Sequence, residues 1–133
     1  MAEKKMKKDT QITGNVGMYY VCFELSRRGW NAMPTSRNAK GIDIVAYKEG
    51  KFIGLQVKTL STRNAIPIGS SRDNLMGDYW IIVTRVAEKD IPDVYVMTPI
   101  EIHDKAHLGG KTYWVEAKDY DLLDFKEKWE RIE

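Results

Sequence analysis

Between residues 41 and 59 the chain carries one carboxylate, one amide and one ammonium group at spacings that two paired strands can bring together. Successive side chains of a strand point to opposite faces, so over Phe52 to Thr59 the residues Ile53, Leu55 and Val57 share one face. Gln56 and Lys58 are neighbours on the other. In the preceding stretch Asp43 alternates with Ile42, Ile44 and Ala46, so it lies opposite its apolar neighbours, and an antiparallel hairpin can set it beside Gln56 and Lys58. Asp43 and Gln56 then offer two oxygens to a hard divalent cation, Mg2+ or Mn2+, with Lys58 a fixed positive charge beside it. That set suits phosphodiester hydrolysis, in which a metal polarises the phosphoryl oxygen and a cation offsets charge growing in the transition state. Spacing alone leaves a plainer alternative open: an Asp that caps a turn and a strand-end Lys whose head reaches solvent.

The hairpin that must hold these groups is well marked. Gly41 to Tyr47 and Phe52 to Thr59 are extended stretches joined by Lys48-Glu49-Gly50-Lys51, with the Gly that a tight turn needs. Before it, Ile12 to Gly29 predicts a helix, mostly buried, with Ile12, Val16, Tyr19, Tyr20 and Phe23 on one face and Met18, Cys22 and Leu25 on an adjoining stripe. Thr10 or Thr13 can cap its start and Gly29 its end. Trp30 to Met33 reads as a short strand ended by Pro34. After the hairpin, Leu60 to Gly77 is polar and long for a connection, a length that goes with function or mobility. Tyr79 to Thr84 and Val94 to Met97 are apolar strands, and a short helix follows Pro99 and is stopped by Gly109-Gly110. Thr112 to Val115 adds an edge strand, and Tyr120 to Ile132 predicts a closing amphipathic helix with Leu122, Leu123, Phe125 and Trp129 inward. The fold class expected is α/β, a mixed sheet of four or five strands flanked by helices, in a single domain over residues 1–133.

Composition narrows the setting. A chain of 133 residues with 43 % hydrophobic and 30 % charged residues has the makeup of one folded domain rather than a disordered segment. The single cysteine, Cys22, excludes an internal disulfide and a multi-thiolate zinc site. No apolar run is long enough to cross a bilayer and no signal-peptide pattern follows the basic start, so a cytoplasmic protein without a membrane partner is expected. The net charge of +2 is unevenly spread: residues 1–63 hold twelve Lys/Arg against five Asp/Glu, or +7, and residues 64–133 hold nine against fourteen, or −5. An anionic partner belongs with the first half.

The order of helix, short strand, Gly41-Ile42-Asp43-Ile44-Val45, hairpin, and Leu55-Gln56-Val57-Lys58-Thr59 resembles the PD-(D/E)XK nuclease superfamily, the restriction-endonuclease-like fold. The likeness covers roughly residues 10–98. It is strongest to archaeal Holliday-junction resolvases and to certain homing endonucleases, through Gly14-Asn15-Val16-Gly17-Met18 and Leu25-Ser26-Arg27-Arg28-Gly29-Trp30 at the two ends of the first helix. The resemblance implies a DNA endonuclease dependent on Mg2+ or Mn2+. Asp43 would be its metal-binding Asp, Gln56 the occupant of the (D/E) position, Lys58 the catalytic Lys, and Val57 the donor of a main-chain carbonyl to the metal. Two residues depart from the pattern: Gln56 replaces a carboxylate, and Met18 stands where many members have a helix Glu. A thioether is a poor ligand for Mg2+, which keeps a second expectation in play, a nucleic-acid-binding module without turnover. A third is a subunit of a DNA repair or defence complex, suggested by the acidic second half. A homodimer is also expected, because cutting two strands takes two sites.

Other residues carry weaker signals. Lys4, Lys5, Lys7 and Lys8, in a flexible basic tail over residues 1–9, are candidates for phosphate contacts, as are Arg63 and Arg72 in the long polar segment. Gln11 and Asn15 could approach the metal site or cap backbone N–H groups. His103 and His107 are four apart, a zinc-peptidase spacing, but Asp104 stands where that motif needs Glu, and histidines favoured by a helix C-terminus are the simpler account. Tyr79, Trp80, Tyr95, Trp114 and Trp129 fit packing positions better than base stacking, and Cys22 fits a small buried hydrophobe.

Overall fold

The structure, a computed structural model, describes residues 10–36 and 41–133. The tail expected over residues 1–9, with Lys4, Lys5, Lys7 and Lys8, lies outside them. Helix α1 (Thr10–Arg27) is followed by β1 (Asn31–Pro34), the hairpin β2 (Ile44–Lys48) and β3 (Lys51–Thr59), then β4 (Ile66–Gly69), β5 (Tyr79–Thr84) and β6 (Asp93–Met97). Helix α2 (Pro99–Lys105), β7 (His107–Gly109), β8 (Thr112–Val115), α3 (Ala117–Tyr120) and a 3-10 turn (Trp129–Arg131) complete the chain. The main sheet has five strands in the order β1-β2-β3-β5-β6, antiparallel except where β3 runs parallel to β5. The mixed α/β architecture expected from the sequence is the one found.

The hairpin turn is tighter than the four residues anticipated. Lys48 pairs directly with Lys51, and Glu49 and Gly50 both take positive φ, 50° and 81°, the two-residue turn whose twist matches that of the strands. Strand β5 is buried on both faces. Ile81 and Val83 join Val21, Leu25, Leu55 and Trp129 beneath α1, while Ile82 and Trp80 join Ile66, Ile102, Val115 and Tyr120 on the far side. A near-continuous apolar run is what a doubly covered strand requires.

Four expectations are corrected. First, α1 does not bury the stripe Ile12, Val16, Tyr19 and Phe23, which is exposed, but Gly17, Val21, Glu24 and Leu25. The choice is made by Gly17, where an added Cβ would stand 1.8 Å from Thr59 Oγ1 and 2.7 Å from Thr59 Cβ. Only the absence of a side chain lets the helix lie this close to β3. Gly17→Ala is therefore expected to destabilise by about 3 kcal/mol, since both Thr59 and the helix axis must shift. A urea midpoint unchanged from the parent would show that this contact yields freely.

Second, the polar stretch 60–77 is not one loop: β4 lies within it and pairs with β8, which pairs with β7 in a separate three-stranded antiparallel sheet. Thr112–Val115 is thus a central strand there, not an edge. Third, α2 ends at Lys105 and not at Gly109-Gly110. Thr98 and Glu101 form a capping box with Pro99 at the first turn, but His107 belongs to β7, so His103 and His107 share no helix face. His107 Nε2 instead meets Glu116 Oε1 at 2.8 Å.

Fourth, residues 120–132 do not form a helix. Phe125 O accepts from Val96 N–H at 2.9 Å and Glu127 N–H donates to Val94 O at 2.8 Å, so the segment lies along the free edge of β6 and covers it. Leu123, expected inward, is 84 % exposed. Asp121 fastens this segment by accepting from Arg63 Nε at 2.7 Å and Tyr95 Oη at 2.8 Å. Burial alone would push its carboxyl up, but those bonds outweigh it and hold the pKa below the ordinary 3.8. A depressed carboxyl contributes stability above its unfolded pKa and loses it as pH falls through the folded one. Asp121→Asn should accordingly cost about 1 kcal/mol at pH 7, a gap that closes below the ordinary value; a gap constant down to pH 2 would contradict this.

Among the described residues no helix is long and apolar enough to cross a membrane.

Candidate functional site

Strand β2 stops pairing with β3 at Ile44 and Leu55. One step further the same register would put Asp43 opposite Gln56, but the chain bends there. Asp43 N–H still donates to Leu55 O at 2.8 Å, its carbonyl accepts from Thr35 N–H at 2.9 Å, and its Oδ2 turns to accept the Val57 N–H at 2.8 Å. That N–H has lost its β2 partner, so the carboxylate takes over where the ladder ends. Asp43 is held at backbone precision by β1, β2 and β3 together.

The groups expected to share one hollow are divided between two. Asp43 and Val57 line a groove of about 360 Å3 with Gln11, Asn15, Met18 and Tyr19 of α1 and with Thr35 and Ser36. Gln56 and Lys58 open into a hollow of about 400 Å3 on the opposite face of β3, with Trp80, Met76 and the polar side chains of Ser70, Ser71 and Asn74. Strand β3 separates the two. Burial lowers the pKa of the Lys58 ammonium, and the Asp43 charge partly opposes that shift, so the two groups are electrostatically coupled across that strand. Lys58 Nζ stands 5.6 Å from the centre of the Trp80 ring, a cation–π contact that partly replaces lost water.

Gln56 Oε1 is buried and has no hydrogen-bond partner. An unsatisfied buried acceptor costs about 1 to 3 kcal/mol, so Gln56, which lines the Lys58 hollow, is held at a loss. Thr59 Oγ1, two residues on, is buried without a partner as well, although its place against Gly17 accounts for it by packing. No cluster of three or more His, Cys, Asp or Glu able to hold a metal occurs among the described residues, and Asp43 is the one carboxylate among the described residues that line the two hollows.

The two arginines of the polar stretch have partners within the chain. Arg63 pairs with Asp121, and Arg72 donates to Ala106 O at 3.2 Å and lies over the Tyr113 ring. What that stretch brings to Lys58 is Ser70, Ser71 and Asn74, which charge counting overlooks; their signal was the Ser- and Asn-rich composition. Trp80, read as packing, does pack but also faces Lys58.

No protein-family model matches the chain, and no curated protein matches it in sequence. Among solved structures it is similar to the bacterial homing endonuclease I-Ssp6803I, with a TM-score of 0.67 and 16 % identity over 94 % of this chain and 93 % of that one. It is also similar to Hjc of Archaeoglobus fulgidus, a Holliday junction resolvase from an archaeal hyperthermophile, with a TM-score of 0.54 and 11 % identity over 81 % of this chain and 87 % of that one.

Proposed function

On the restriction-endonuclease-like fold that the chain shares with those two nucleases, we propose that it is a metal-dependent DNA endonuclease that hydrolyses phosphodiester bonds with Asp43, Gln56 and Lys58. The observation that carries this reading is the buried, unpartnered Gln56 Oε1 beside the Lys58 ammonium, next to a carboxylate pinned to the same strand.

The donors are of the type a hard divalent cation takes, all oxygens: the Asp43 carboxylate and the main-chain carbonyl of Val57 would hold it on the α1 side of β3, and the Gln56 amide would join them by turning out of the Lys58 hollow. When bound, Mg2+ or Mn2+ polarises a phosphoryl oxygen and lowers the pKa of coordinated water. Asp43 contributes the negative charge that draws the cation, and its bond to Val57 N–H fixes where that charge sits. Lys58 supplies a positive charge at the phosphoryl oxygen on which negative charge grows, and its burial makes that charge more effective than it would be in water. Ser70, Ser71 and Asn74 offer neutral donors to adjacent phosphates.

A second reading, a DNA-binding module without turnover, is favoured by Met18 in the Asp43 groove, where a further carboxylate would strengthen the metal site. Plasmid, linear and branched DNA incubated with Mg2+ or Mn2+ separate the two. Cleavage that EDTA stops and Lys58→Ala loses supports the first; no cleavage, or equal cleavage by Lys58→Ala, removes it. Binding that weakens steeply with salt but never leads to cutting establishes the second.

A further inference from the structure

Tyr47 and Phe52 face each other across the β2–β3 pair with ring centres 4.7 Å apart, and neither is covered: Tyr47 is 39 % and Phe52 66 % exposed. The inward residues of these strands, Ile44, Ala46, Ile53 and Leu55, pack beneath α1. Alternation therefore puts Tyr47 and Phe52 on the outer face of the sheet, together with Asn31, Met33, Val45 and Gly54. Over β5 and β6 that face is covered by Ile66, Ile102, Val115 and Tyr120, but here it stays open, and Met33 is exposed as well. None of the six residues is charged. Asp78, beside Gly54, uses its carboxylate to accept Gly54 N–H at 2.8 Å. Further along β3 the same face carries Gln56 and then Lys58. An open apolar patch that runs into a polar site marks a binding surface.

We infer that Tyr47 and Phe52 stack unpaired bases, so that the substrate is DNA with a single-stranded segment adjoining the bond to be cut. This rests on the reading above, in which a phosphate sits at Lys58. A cation for the backbone and aromatic rings a short way along the strand are the two parts of a single-strand site, because every base has a face that can stack. Phe52 and Gln56 are four residues apart on one strand, roughly 13 Å, a span that a few nucleotides of extended DNA cover. A fully paired duplex fits this face poorly. Its base faces are hidden inside the stack and it turns a charged backbone outward, for which an uncharged surface offers no counter-charge. A protein partner broad enough to cover the face would also cover the Lys58 hollow, since only Gly54 separates Phe52 from Gln56 on this side of β3. Unpaired bases use the rings and leave the hollow to the backbone that carries them.

Fluorescence anisotropy in EDTA tests this without any cutting. The probes are a blunt DNA duplex and the same duplex opened at one end into two unpaired arms of about ten nucleotides. The full chain is expected to bind the forked DNA at least about tenfold more tightly than the blunt one. 2-Aminopurine placed between thymines in the arms should lose fluorescence on binding, the signature of stacking. Phe52→Leu, which keeps an apolar surface but removes the ring, should lose both the preference and the fluorescence change, and Phe52→Trp should keep them. Phe23→Leu, which removes an exposed ring from α1, should alter neither. Circular dichroism checks folding, and Tyr47→Leu replaces Phe52→Leu if the latter does not fold. Equal affinity for the two DNAs, no binding of either, or a preference that survives Phe52→Leu overturns the inference; the last is what a face built for a protein partner would give. Duplex DNA cut in Mg2+ only when Lys58 is present would still uphold the nuclease reading, so the two can fail separately.

Discussion

Lys58→Ala should give a folded protein that still binds DNA and cuts it at least about 10²-fold more slowly in Mg2+ or Mn2+, the usual consequence of removing one preorganised charge from a developing oxyanion. Because the hollow around Lys58 provides other donors and the protein has other cations, the loss should fall on the rate of nicking and not on affinity. Lys58→Met separates this role from a structural one. Burial keeps the ammonium below its ordinary pKa of 10.5, so the folded state holds that proton less tightly than the unfolded state and Lys58 costs stability. Below the folded pKa both states are protonated and the cost is complete; between the folded pKa and the ordinary value the folded state sheds its proton first and stability rises with pH. Lys58→Met is therefore expected to be inactive but more stable than the parent by about 1 kcal/mol at pH 7. Its advantage should shrink towards pH 10. Urea midpoints at the two pH values measure this, and a Met variant less stable than the parent at pH 7 would mean that Lys58 holds the fold together.

Much of the frame around Lys58 could be read from residue order, because strands β2 and β3 follow from apolar alternation and from Glu49-Gly50, and β5 from its continuous apolar run. What periodicity could not decide was which of two adequate stripes of α1 faces the sheet. Ile12, Val16, Tyr19 and Phe23 are more apolar than Gly17, Val21, Glu24 and Leu25, but the second stripe contains the one residue that permits close approach to Thr59. A packing constraint at one Cβ outweighed hydrophobicity. The C-terminal segment failed for another reason: Leu122, Phe125 and Trp129 recur at helical intervals, yet the unpaired edge of β6 offered hydrogen bonds to the backbone of residues 125–127, and Glu127 turns to φ 54°. Strand β4 was hidden because Pro67 within Ile66–Gly69 argues against a strand unless it lies at a sheet edge, as β4 does. At the site, alternation placed Gln56 and Lys58 on one face correctly. The bend at Asp43, which sends its carboxylate to Val57 N–H, depends on where the β2 ladder stops, and no local pattern encodes that.

The same groove explains why Met18→Glu should raise both metal affinity and activity. Met18 and Asp43 line it together, and Asp43 is the only carboxylate among its described lining residues. Affinity for a hard cation grows with the number of charged oxygens around it; a second carboxylate is expected to tighten Mn2+ binding about tenfold, equivalent to about 1.4 kcal/mol. Without metal the substitution should cost about 1 kcal/mol, because Met18 packs partly against the core and a carboxylate there loses water and faces Asp43. With metal the sign reverses: a ligand that binds only the folded state stabilises it by an amount that grows with its concentration over its dissociation constant. The melting temperature of Met18→Glu should then start below that of the parent and rise more steeply with Mn2+. Met18→Gln, similar in length but uncharged, should reproduce the initial loss of stability without the steeper rise. If Mn2+ lifts all three proteins equally, the cation does not sit between α1 and Asp43, and the groove cannot be the metal side of the site even if Lys58 proves essential for cutting.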